Sequence, residues 1–513
     1  MSRSIPVFRQ VFRRLFRAVL SAYVLPTACC LLPAVRAGEE TARVTLPSKP
    51  NIVFLLIDDM GWPDLACYGH PFHETPHIDR LAAEGMKFSD FYAATPVCSS
   101  TRSTIQSGQY AARVGITDFI PGHWRPFEKL IVPPIDEALP ASIRTPGDVL
   151  SAAGYATGYF GKWHLGPDDT RGPDNRGYGV TARTLGPEFQ AWRKTKVPGP
   201  KQIDLLTDQT LWFIEQNQQR PFFVTLSHHA VHIPVEATPE AIEKYRQKAK
   251  PAGGVNHPFY AGMIEDLDRS VGRIMAALED LGLAERTLFV FTSDNGGIRK
   301  IFTGVGEEVS TNAPLRDEKG SLYEGGIRVP MIVRWPGVVR PNTVCSEPTT
   351  TVDLMSTFCQ AAGAALPDQP IDGTSLVPLL IDPAAKLPRE AIYFHYPHYH
   401  HSRPAGAIRA GDWKLIEFFD GAPLELYNLR EDIGEKVNLA EKMPDKAQAL
   451  EKDLARWRES VGARMPSPNP NYDPSRAGQW WNRQMNQPLD LEAMAKQYRS
   501  RSVERQPPNQ KAP

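Results

Sequence analysis

The hydrophobic pattern of the chain predicts an α/β fold built on long buried strands. Two continuous apolar runs of strand length, residues 51–57 and 287–292, are rich in branched and aromatic side chains. Such runs are typical of parallel strands that are buried on both faces. Further strands and two amphipathic helices are predicted by the same patterns at residues 155–160, 221–226, 329–335, 255–282 and 353–362. We therefore expect a large, mixed, mostly parallel sheet flanked by helices.

The C-terminal third has a different pattern. Short strand-like runs separated by turn residues occur at residues 391–394, 407–410, 413–418 and 424–427. They predict a small antiparallel sheet, which a helix at residues 445–460 would cover. The proline-rich span 366–387 is interpreted as a linker, and the chain after residue 466 as a polar tail that wraps around the protein or stays loose. The predicted organisation is a leader (1–37), a large α/β domain (38–387), a small α+β subdomain (388–465) and the tail (466–513).

The N-terminus has the pattern of a signal peptide. Five arginines precede an apolar run at residues 18–32, and Val35-Arg36-Ala37 offers small residues at the cleavage positions. The run is short and is interrupted by Pro26 and Pro33, so we expect no stable membrane insertion. An exported protein, periplasmic or secreted, is predicted. Thr27-Ala28-Cys29 leaves lipoprotein anchoring as an alternative.

Composition and charge exclude some classes of protein. The 513 residues include 58 basic and 58 acidic side chains, which argues against a nucleic-acid partner but permits a local basic pocket. After cleavage the remaining cysteines are too few for a disulfide framework. The sequence is compatible with a disulfide bond between Cys345 and Cys359 and also with two unpaired thiols in the core.

Oxygen-bearing side chains follow the two most apolar strands. Asp58 and Asp59 come directly after the first strand, and Asp294 and Asn295 come shortly after the second. Each pair alone fits a turn or a helix cap. Together, at the carboxyl ends of buried strands where α/β proteins bind ligands, they predict a cation site. An all-oxygen set favours calcium or magnesium over zinc.

Cys98 is predicted to lie at the start of a helix. Ser99, Ser100 and Thr101 are good N-cap residues, and the helix would end near Gly108. A helix N-terminus favours anions, and Arg102 adds a positive charge. Cys98 is therefore a candidate nucleophile or anion-site residue, with a packed structural cysteine as the alternative.

Three further segments carry candidate chemistry near predicted strand ends. They are Gly-Lys-Trp-His-Leu-Gly at residues 161–166, His-His-Ala-Val-His-Ile-Pro at 228–234 and the glycine-rich loop at 317–328 that contains Lys319. Each has an ordinary explanation, because lysines at strand ends are often solvated and most histidines are not catalysts. A histidine- and tyrosine-rich loop at 395–401 could bind metal, but its composition favours a loop that contacts sugar.

These motifs together resemble the sulfatase family. Cys98-Ser-Ser-Thr-Arg102 is similar to the sulfatase signature Cys-x-Pro/Ala-Ser/Thr-Arg, although Ser100 replaces the usual proline or alanine and Gln106-Ser107 replaces the usual Leu-Thr. The lysine, histidine and glycine-rich motifs follow in the chain order found in sulfatases. The resemblance implies an alkaline-phosphatase-like fold and a formylglycine-dependent, type I, arylsulfatase-like enzyme.

The resemblance also implies the roles of individual residues. One calcium ion, with magnesium as an alternative, would be held by the two acidic pairs and by formylglycine made from Cys98. The sulfate group would be surrounded by Arg102, Lys162, His164, His232 and Lys319, and His398 would contact the substrate. His228 and His229 are interpreted as packing or indirect supporting residues.

The implied reaction is hydrolysis of a sulfate ester. A hydroxyl of the hydrated formylglycine would attack sulfur, and His232 or His164 would protonate the departing alcohol. The implied partners are a sulfated small molecule or glycan and, during maturation, a formylglycine-generating enzyme. Two alternatives are a phosphatase or phosphodiesterase of the same superfamily, against which Cys98 and the acidic set argue, and a non-catalytic protein that binds sulfated glycans.

Overall fold

The structure, a computed structural model, describes residues 46–302 and 304–501. The predicted signal peptide lies outside the described residues. Among those that are described, no helix has the length and apolar character needed to cross a membrane.

The strands and helices follow one another in an α/β order. The strands are β1 Asn51–Ile57, β2 Met86–Phe88, β3 Phe91–Tyr92, β4 His123–Trp124, β5 Leu130–Ile131, β6 Ala156–Gly161, β7 Val180–Thr181, β8 Phe222–Ser227, β9 Thr287–Ser293, β10 Lys300–Phe302, β11 Val305–Glu308, β12 Met331–Arg334, β13 Thr343–Cys345, β14 Thr349–Thr350, β15 Ile392–Tyr396, β16 Ala405–Ala410, β17 Trp413–Phe418, β18 Glu425–Asn428, β19 Ser467–Pro468, β20 Trp481–Asn482 and β21 Gln487–Pro488. The helices are α1 Pro76–Ala83, α2 Cys98–Ser107, α3 Ala111–Val114, α4 Pro146–Ala152, α5 Asp168–Arg171, α6 Pro187–Trp192, α7 Ile203–Gln216, α8 Pro239–Gln247, α9 Pro258–Asp280, α10 Glu324–Ile327, α11 Asp353–Ala362, α12 Val377–Ile381, α13 Pro444–Val461 and α14 Leu491–Arg501.

The predicted fold class is confirmed by the central sheet. It has eight strands in the order β13-β2-β12-β9-β1-β8-β6-β7. β1 pairs in parallel with both β8 and β9, and β6 pairs in parallel with β8, whereas β12 is antiparallel to β9 and β2. All seven residues of β1 are buried, because helices cover both faces of the sheet.

The smaller antiparallel sheet packs against elements that precede it in the chain. Its order is β15-β16-β17-β18, and α13 covers one face with Leu450, Leu454 and Trp457. The other face packs against residues near the active site, including Val97 and Tyr323. The small sheet therefore supports the start of α2, which carries Cys98, and the loop that carries Lys319.

The structure adds detail to two predicted segments, the linker at residues 366–387 and the tail after residue 466. Residues 366–387, interpreted as a linker, contain α12, whose Leu379 and Leu380 are buried in the core; its prolines and polar residues concealed a short apolar segment. The described part of the predicted tail wraps around the protein, since β19 pairs with β5 and β20 pairs with β4. Cys345 and Cys359 are buried free thiols, so the bridge that the sequence left open is not formed.

A buried ionic cluster connects the small sheet to the glycine-rich loop. Lys414 Nζ on β17 lies 2.9 Å from Glu324 Oε1 and 2.8 Å from Glu435 Oε1. Glu324 Oε2 also accepts hydrogen bonds from Arg328 Nε and from the Tyr92 hydroxyl. Because the lysine and both glutamates are fully buried, each charge depends on its partners.

We expect Lys414→Met to lower the free energy of unfolding by about 3–5 kcal/mol, since it leaves buried carboxylate charge without its ammonium partner. Denaturant unfolding of the purified protein would measure the change. The exposed Lys442 provides the control: Lys442→Met should alter the free energy of unfolding by less than about 0.5 kcal/mol. Equal stability of the two variants would show that the cluster does not stabilise the fold.

Candidate active site

The two acidic pairs meet because their strands are neighbours. Ile57 and Ser293, the last residues of β1 and β9, are paired in register. The Asp59 N–H, at φ 63°, donates to Asp294 Oδ1 at 3.1 Å, and Asn295 Nδ2 donates to Asp59 Oδ1 at 2.8 Å. With Asp58, these side chains are at most 1% exposed. The predicted clustering of oxygen ligands is therefore present in the structure.

Cys98 is the first residue of α2. Val97, not one of the predicted serines or threonine, occupies the N-cap position, and Gly108 ends the helix at φ 68°. Ser99 Oγ accepts a hydrogen bond from the Ile120 N–H, and no side chain caps the start of α2. Cys98 is 2% exposed, and burial raises the pKa of its thiol to about 11.

The ligand atoms of Cys98 and the carboxylates are close together. Those of Asp58, Cys98 and Asp294 lie within 4.8 Å of one another, and so do those of Asp59, Cys98 and His232. The helix start and the two strand ends therefore form one site.

Three cations, of which Arg102 and Lys319 are buried and Lys162 is partly buried, balance the three carboxylates. Arg102 donates through Nε and Nη2 to Asp294 Oδ2 at 2.9 and 2.7 Å. Lys162 Nζ donates to both Asp58 oxygens at 2.9 and 2.7 Å, and Lys319 Nζ donates to Asp59 Oδ2 at 2.8 Å. Buried charges need such pairing, because removing each ion from water costs several kcal/mol.

The pKa values in the site follow from this balance. Burial alone would raise the pKa of Asp58, but Lys162, His232 and Arg102 hold it well below its usual value. The pKa of Asp59 is lowered in the same way, chiefly by Lys319 acting against burial. Burial raises the pKa of Asp294 to about 6, although Arg102 opposes this shift. The electrostatic environment therefore distinguishes the three carboxylates.

His232 faces the acidic pair, whereas His164 points to a neighbouring cavity. His232 Nε2 lies 3.6 Å from Asp59 Oδ2, and its Nδ1 is 2.6 Å from the Ile233 carbonyl oxygen. Burial lowers the pKa of His232 to about 4. His164, at φ 59°, has Nε2 2.6 Å from the Ile120 carbonyl oxygen. It lines a different cavity from His232.

His398, the predicted substrate contact, is deeply buried and lies beside Thr117 and Asp118. Its side chain is 1% exposed, and its Nε2 lies 2.8 Å from Thr117 Oγ1. Its Nδ1 is 3.8 Å from Asp118 Oδ2. Its Nδ1 has no hydrogen-bond partner among the described residues, and contact between His398 and a substrate stays a prediction.

An open pocket leads to the site. Its volume is about 360 Å³, and it is lined by Asp58, Lys162, Lys201, Gln202, His229, His232, Ile233 and Glu236. His228 packs against Ser270 as interpreted, but His229 lines the pocket and was not assigned this position. Lys201, Gln202 and Glu236 were also missed, because no sequence motif links them to the strand ends.

A larger cavity of about 560 Å³ lies elsewhere. Arg328 and Arg409 line it, and both already form ion pairs with Asp90. Asp58, Lys162 and His232 line the smaller pocket, and none of them lines this cavity. The smaller pocket is therefore the candidate active site.

Comparison with known protein families shows to which family the chain belongs. The family model described as Sulfatase matches residues 50–364, a range that includes Cys98, both acidic pairs and Lys319. The chain belongs to the sulfatase family. A second model, described as N-sulphoglucosamine sulphohydrolase, C-terminal, matches residues 317–460 of this sulfatase.

Curated relatives agree over most of the chain. Arylsulfatase A of Homo sapiens is 33% identical over 484 residues, which cover 82% of this sulfatase and 89% of the relative. Steryl-sulfatase of Mus musculus is 31% identical, covering 72% and 71% of the two chains. This sulfatase is therefore a sulfuric ester hydrolase.

Solved structures show the same architecture. The crystal structure of Ps i-CgsB in complex with k-i-k-neocarrahexaose has a TM-score of 0.67 and 27% identity, covering 83% of this sulfatase and 95% of that chain. A phosphonate monoester hydrolase of Agrobacterium radiobacter has a TM-score of 0.58 at 19% identity, covering 86% and 99% of the two chains. The second likeness shows the fold alone.

Proposed function

We propose that this sulfatase hydrolyses a sulfate ester of an aryl alcohol or a carbohydrate, using calcium and a formylglycine made from Cys98. The observation that carries the proposal is the convergence of Cys98 with two acidic strand ends and three cations. Such a site can hold a metal ion and an oxyanion side by side. The roles of individual residues below are part of the proposal.

The donor set fits a calcium ion. Asp58, Asp59, Asp294 and Asn295 are all oxygen donors, and calcium binds such oxygen sets with flexible geometry. Asn295 Oδ1 is buried and has no hydrogen-bond partner among the described residues, so it is available as a ligand. When bound, calcium would polarise the sulfate oxygens as a Lewis acid. Magnesium is the alternative, although it demands stricter octahedral geometry.

Formylglycine would supply the nucleophilic hydroxyl and would require a formylglycine-generating enzyme during maturation. The chain contributes the position of this residue at the N-terminus of α2, where helix N–H groups favour an anion. Arg102, one turn further along α2, is fixed by its two hydrogen bonds to Asp294. The nucleophile and the metal ligands would therefore be held in one rigid unit.

Three cations would bind and orient the sulfate group. Arg102, Lys162 and Lys319 surround the site and are buried or nearly so. Preorganised charges in a site with little water stabilise developing negative charge without reorganisation. We assign these residues to positioning and charge stabilisation.

His232 is our candidate for the acid that protonates the departing alcohol. Its Nε2 faces Asp59 within the open pocket, whereas Nε2 of His164 is engaged by a backbone carbonyl. Burial disfavours protonated His232, but a bound sulfate anion would raise the pKa of the ring. General acids matter most when the leaving group is a poor one.

We expect His232→Gln to lower kcat/KM by about 10²–10⁴-fold for an alkyl or sugar sulfate. The loss should be much smaller for 4-nitrophenyl sulfate, whose leaving group needs little protonation. The measurement is kcat/KM for a series of sulfates with graded leaving-group pKa. Equal losses across the series would contradict an acid role, and His164→Gln in the same series would test the alternative histidine.

The function itself is tested by substrate choice and by mass analysis. Protein produced with a formylglycine-generating enzyme is given matched aryl sulfate and aryl phosphate substrates. We expect sulfate turnover to dominate and the Cys98 peptide to show conversion to formylglycine. Dominant phosphate turnover would favour the phosphatase alternative, and an unconverted thiol in active protein would exclude the formylglycine mechanism.

We also propose that the protein is exported. The arginine-rich start, the apolar run and Val35-Arg36-Ala37 support a signal peptide that is removed. Fractionation and N-terminal sequencing of the mature chain test this proposal. A mature chain that begins at Met1 would contradict it.

A further inference from the structure

Lys201 lies at the mouth of the active-site pocket on a strained turn. It follows Gly199 and Pro200 and is separated from α7 only by Gln202, and both Lys201 and Gln202 have positive φ, 51° and 59°. Such backbone is uncommon for residues other than glycine and often occurs at functional sites. The turn brings Lys201 into the same pocket as Asp58, Lys162 and His232.

The ammonium group of Lys201 differs from the other lysines of the pocket. Lys162 and Lys319 each form short ion pairs with a carboxylate. Lys201 uses its backbone N–H to reach Glu236 Oε2 at 3.5 Å. Within the described ranges, however, its half-buried Nζ has no hydrogen bond or ion pair. Burial lowers the pKa of Lys201 to about 8, although Glu236 opposes the shift.

An ammonium group that has lost part of its water without a direct counter-ion favours an incoming anion. The reacting sulfate already has Arg102, Lys162 and Lys319, so Lys201 is available to a different group of the substrate. Glu236 also lines this pocket and would repel an anion that approached it, so the second group must approach from the side of Nζ.

The rest of the pocket mouth favours a polyhydroxylated substrate. Gln202, His229 and Glu236 offer hydrogen-bond donors and acceptors, and Ile233 is an aliphatic contact. No phenylalanine, tyrosine or tryptophan is among the described residues that line this pocket, so a flat aromatic or steroid ring would find little apolar surface. The volume of about 360 Å³ is within the range of small-molecule sites.

We propose that Lys201 binds a second anionic group, a carboxylate or a second sulfate, on a sugar whose sulfate ester is hydrolysed at Cys98. This inference rests on the proposed function and adds the substrate class: anionic carbohydrates with at least two charged groups. Lys201 is a substrate-binding residue that acts on selectivity and does not take part in the bond-breaking step.

The test uses matched pairs of sulfated monosaccharides with the ester at each hydroxyl in turn. One set compares N-acetyl with N-sulfated hexosamines, and the other compares hexoses with hexuronates. We expect kcat/KM to be about 10-fold or more higher for the dianionic member of at least one set, since a hydrogen bond to a charged group contributes about 1.5–3 kcal/mol. The set that shows the preference identifies the second group as sulfate or carboxylate.

Two variants assign the preference to Lys201. Lys201→Met should raise KM for the dianionic sugar more than for its partner and bring their kcat/KM ratio close to one. Lys201→Arg, which keeps the charge, should retain part of the preference. The exposed Lys196 is the matched control, and Lys196→Met should leave both the ratio and the turnover unchanged.

Failure of this inference can be distinguished from failure of the proposed function. Turnover of 4-nitrophenyl sulfate by converted protein tests the function. If that turnover is present but no dianionic preference is found, or if Lys201→Met keeps the preference, the inference about Lys201 is overturned alone. If converted protein cleaves no sulfate ester, both are overturned.

Discussion

We expect Cys98→Ala to abolish sulfate ester hydrolysis, with kcat/KM reduced by about 10⁴-fold or more. The substitution removes the only precursor of the proposed nucleophile, at the first residue of α2. The fold should persist, because the side chain is small and the helix is held by the Arg102–Asp294 hydrogen bonds. Turnover of an aryl sulfate and thermal unfolding, measured on the same preparation, separate lost chemistry from lost structure.

A second thiol provides the control for this variant. Cys67 is a half-buried free cysteine that does not line the active-site pocket. Cys67→Ala should keep nearly full turnover after the same maturation step. Comparable activity of Cys98→Ala and wild type would show that the convergence of residues at this helix start has another purpose.

We expect Asn295→Ala to weaken calcium binding by about 100-fold or more, because it removes a ligand oxygen from a small oxygen set. Its Oδ1 is the buried atom that lacks a hydrogen-bond partner within the described residues. The calcium concentration that produces half of the maximal thermal stabilisation measures the effect without relying on turnover. Activity after chelation and readdition of calcium should follow the same concentration dependence.

Asn295→Asp separates the ligand role from a structural one. Both variants lose the hydrogen bond from Asn295 Nδ2 to Asp59, but only the aspartate keeps an oxygen at the ligand position. We expect Asn295→Asp to recover most of the calcium-dependent stabilisation. If alanine binds calcium as tightly as aspartate does, Asn295 is not a ligand.

The fold class could be predicted from the sequence because burial of strands and helices requires recognisable patterns of hydrophobic residues. The predicted strand at residues 51–57 has the same first and last residues as β1, and residues 353–362 form α11 as predicted. A strand buried on both faces consists mainly of apolar side chains, so its extent can be recognised in the sequence. The span 366–387 was misinterpreted because α12 is only five residues long, too short for periodicity to show.

Some of the residues that form the site could also be predicted from the sequence, but not all of them. Strand-end acidic pairs and a helix-start cysteine have local sequence signals, and they were found. His229, Lys201 and Glu236 have none, because each becomes part of the pocket through the paths of separate loops. His398 lies in a suggestive motif and is buried against Thr117, and its contact with a substrate stays a prediction.

The sequence by itself determined the strands, most of the helices and the identity of the groups that carry charge and oxygen ligands, because these depend on neighbours within a few residues. Only the tertiary structure decided which of them meet. Asp59 is joined to Asn295 across 236 residues of chain and to Lys319 across 260. Those contacts exist because β1 and β9 are adjacent and parallel, and because buried charges are stable only when their opposites are brought beside them.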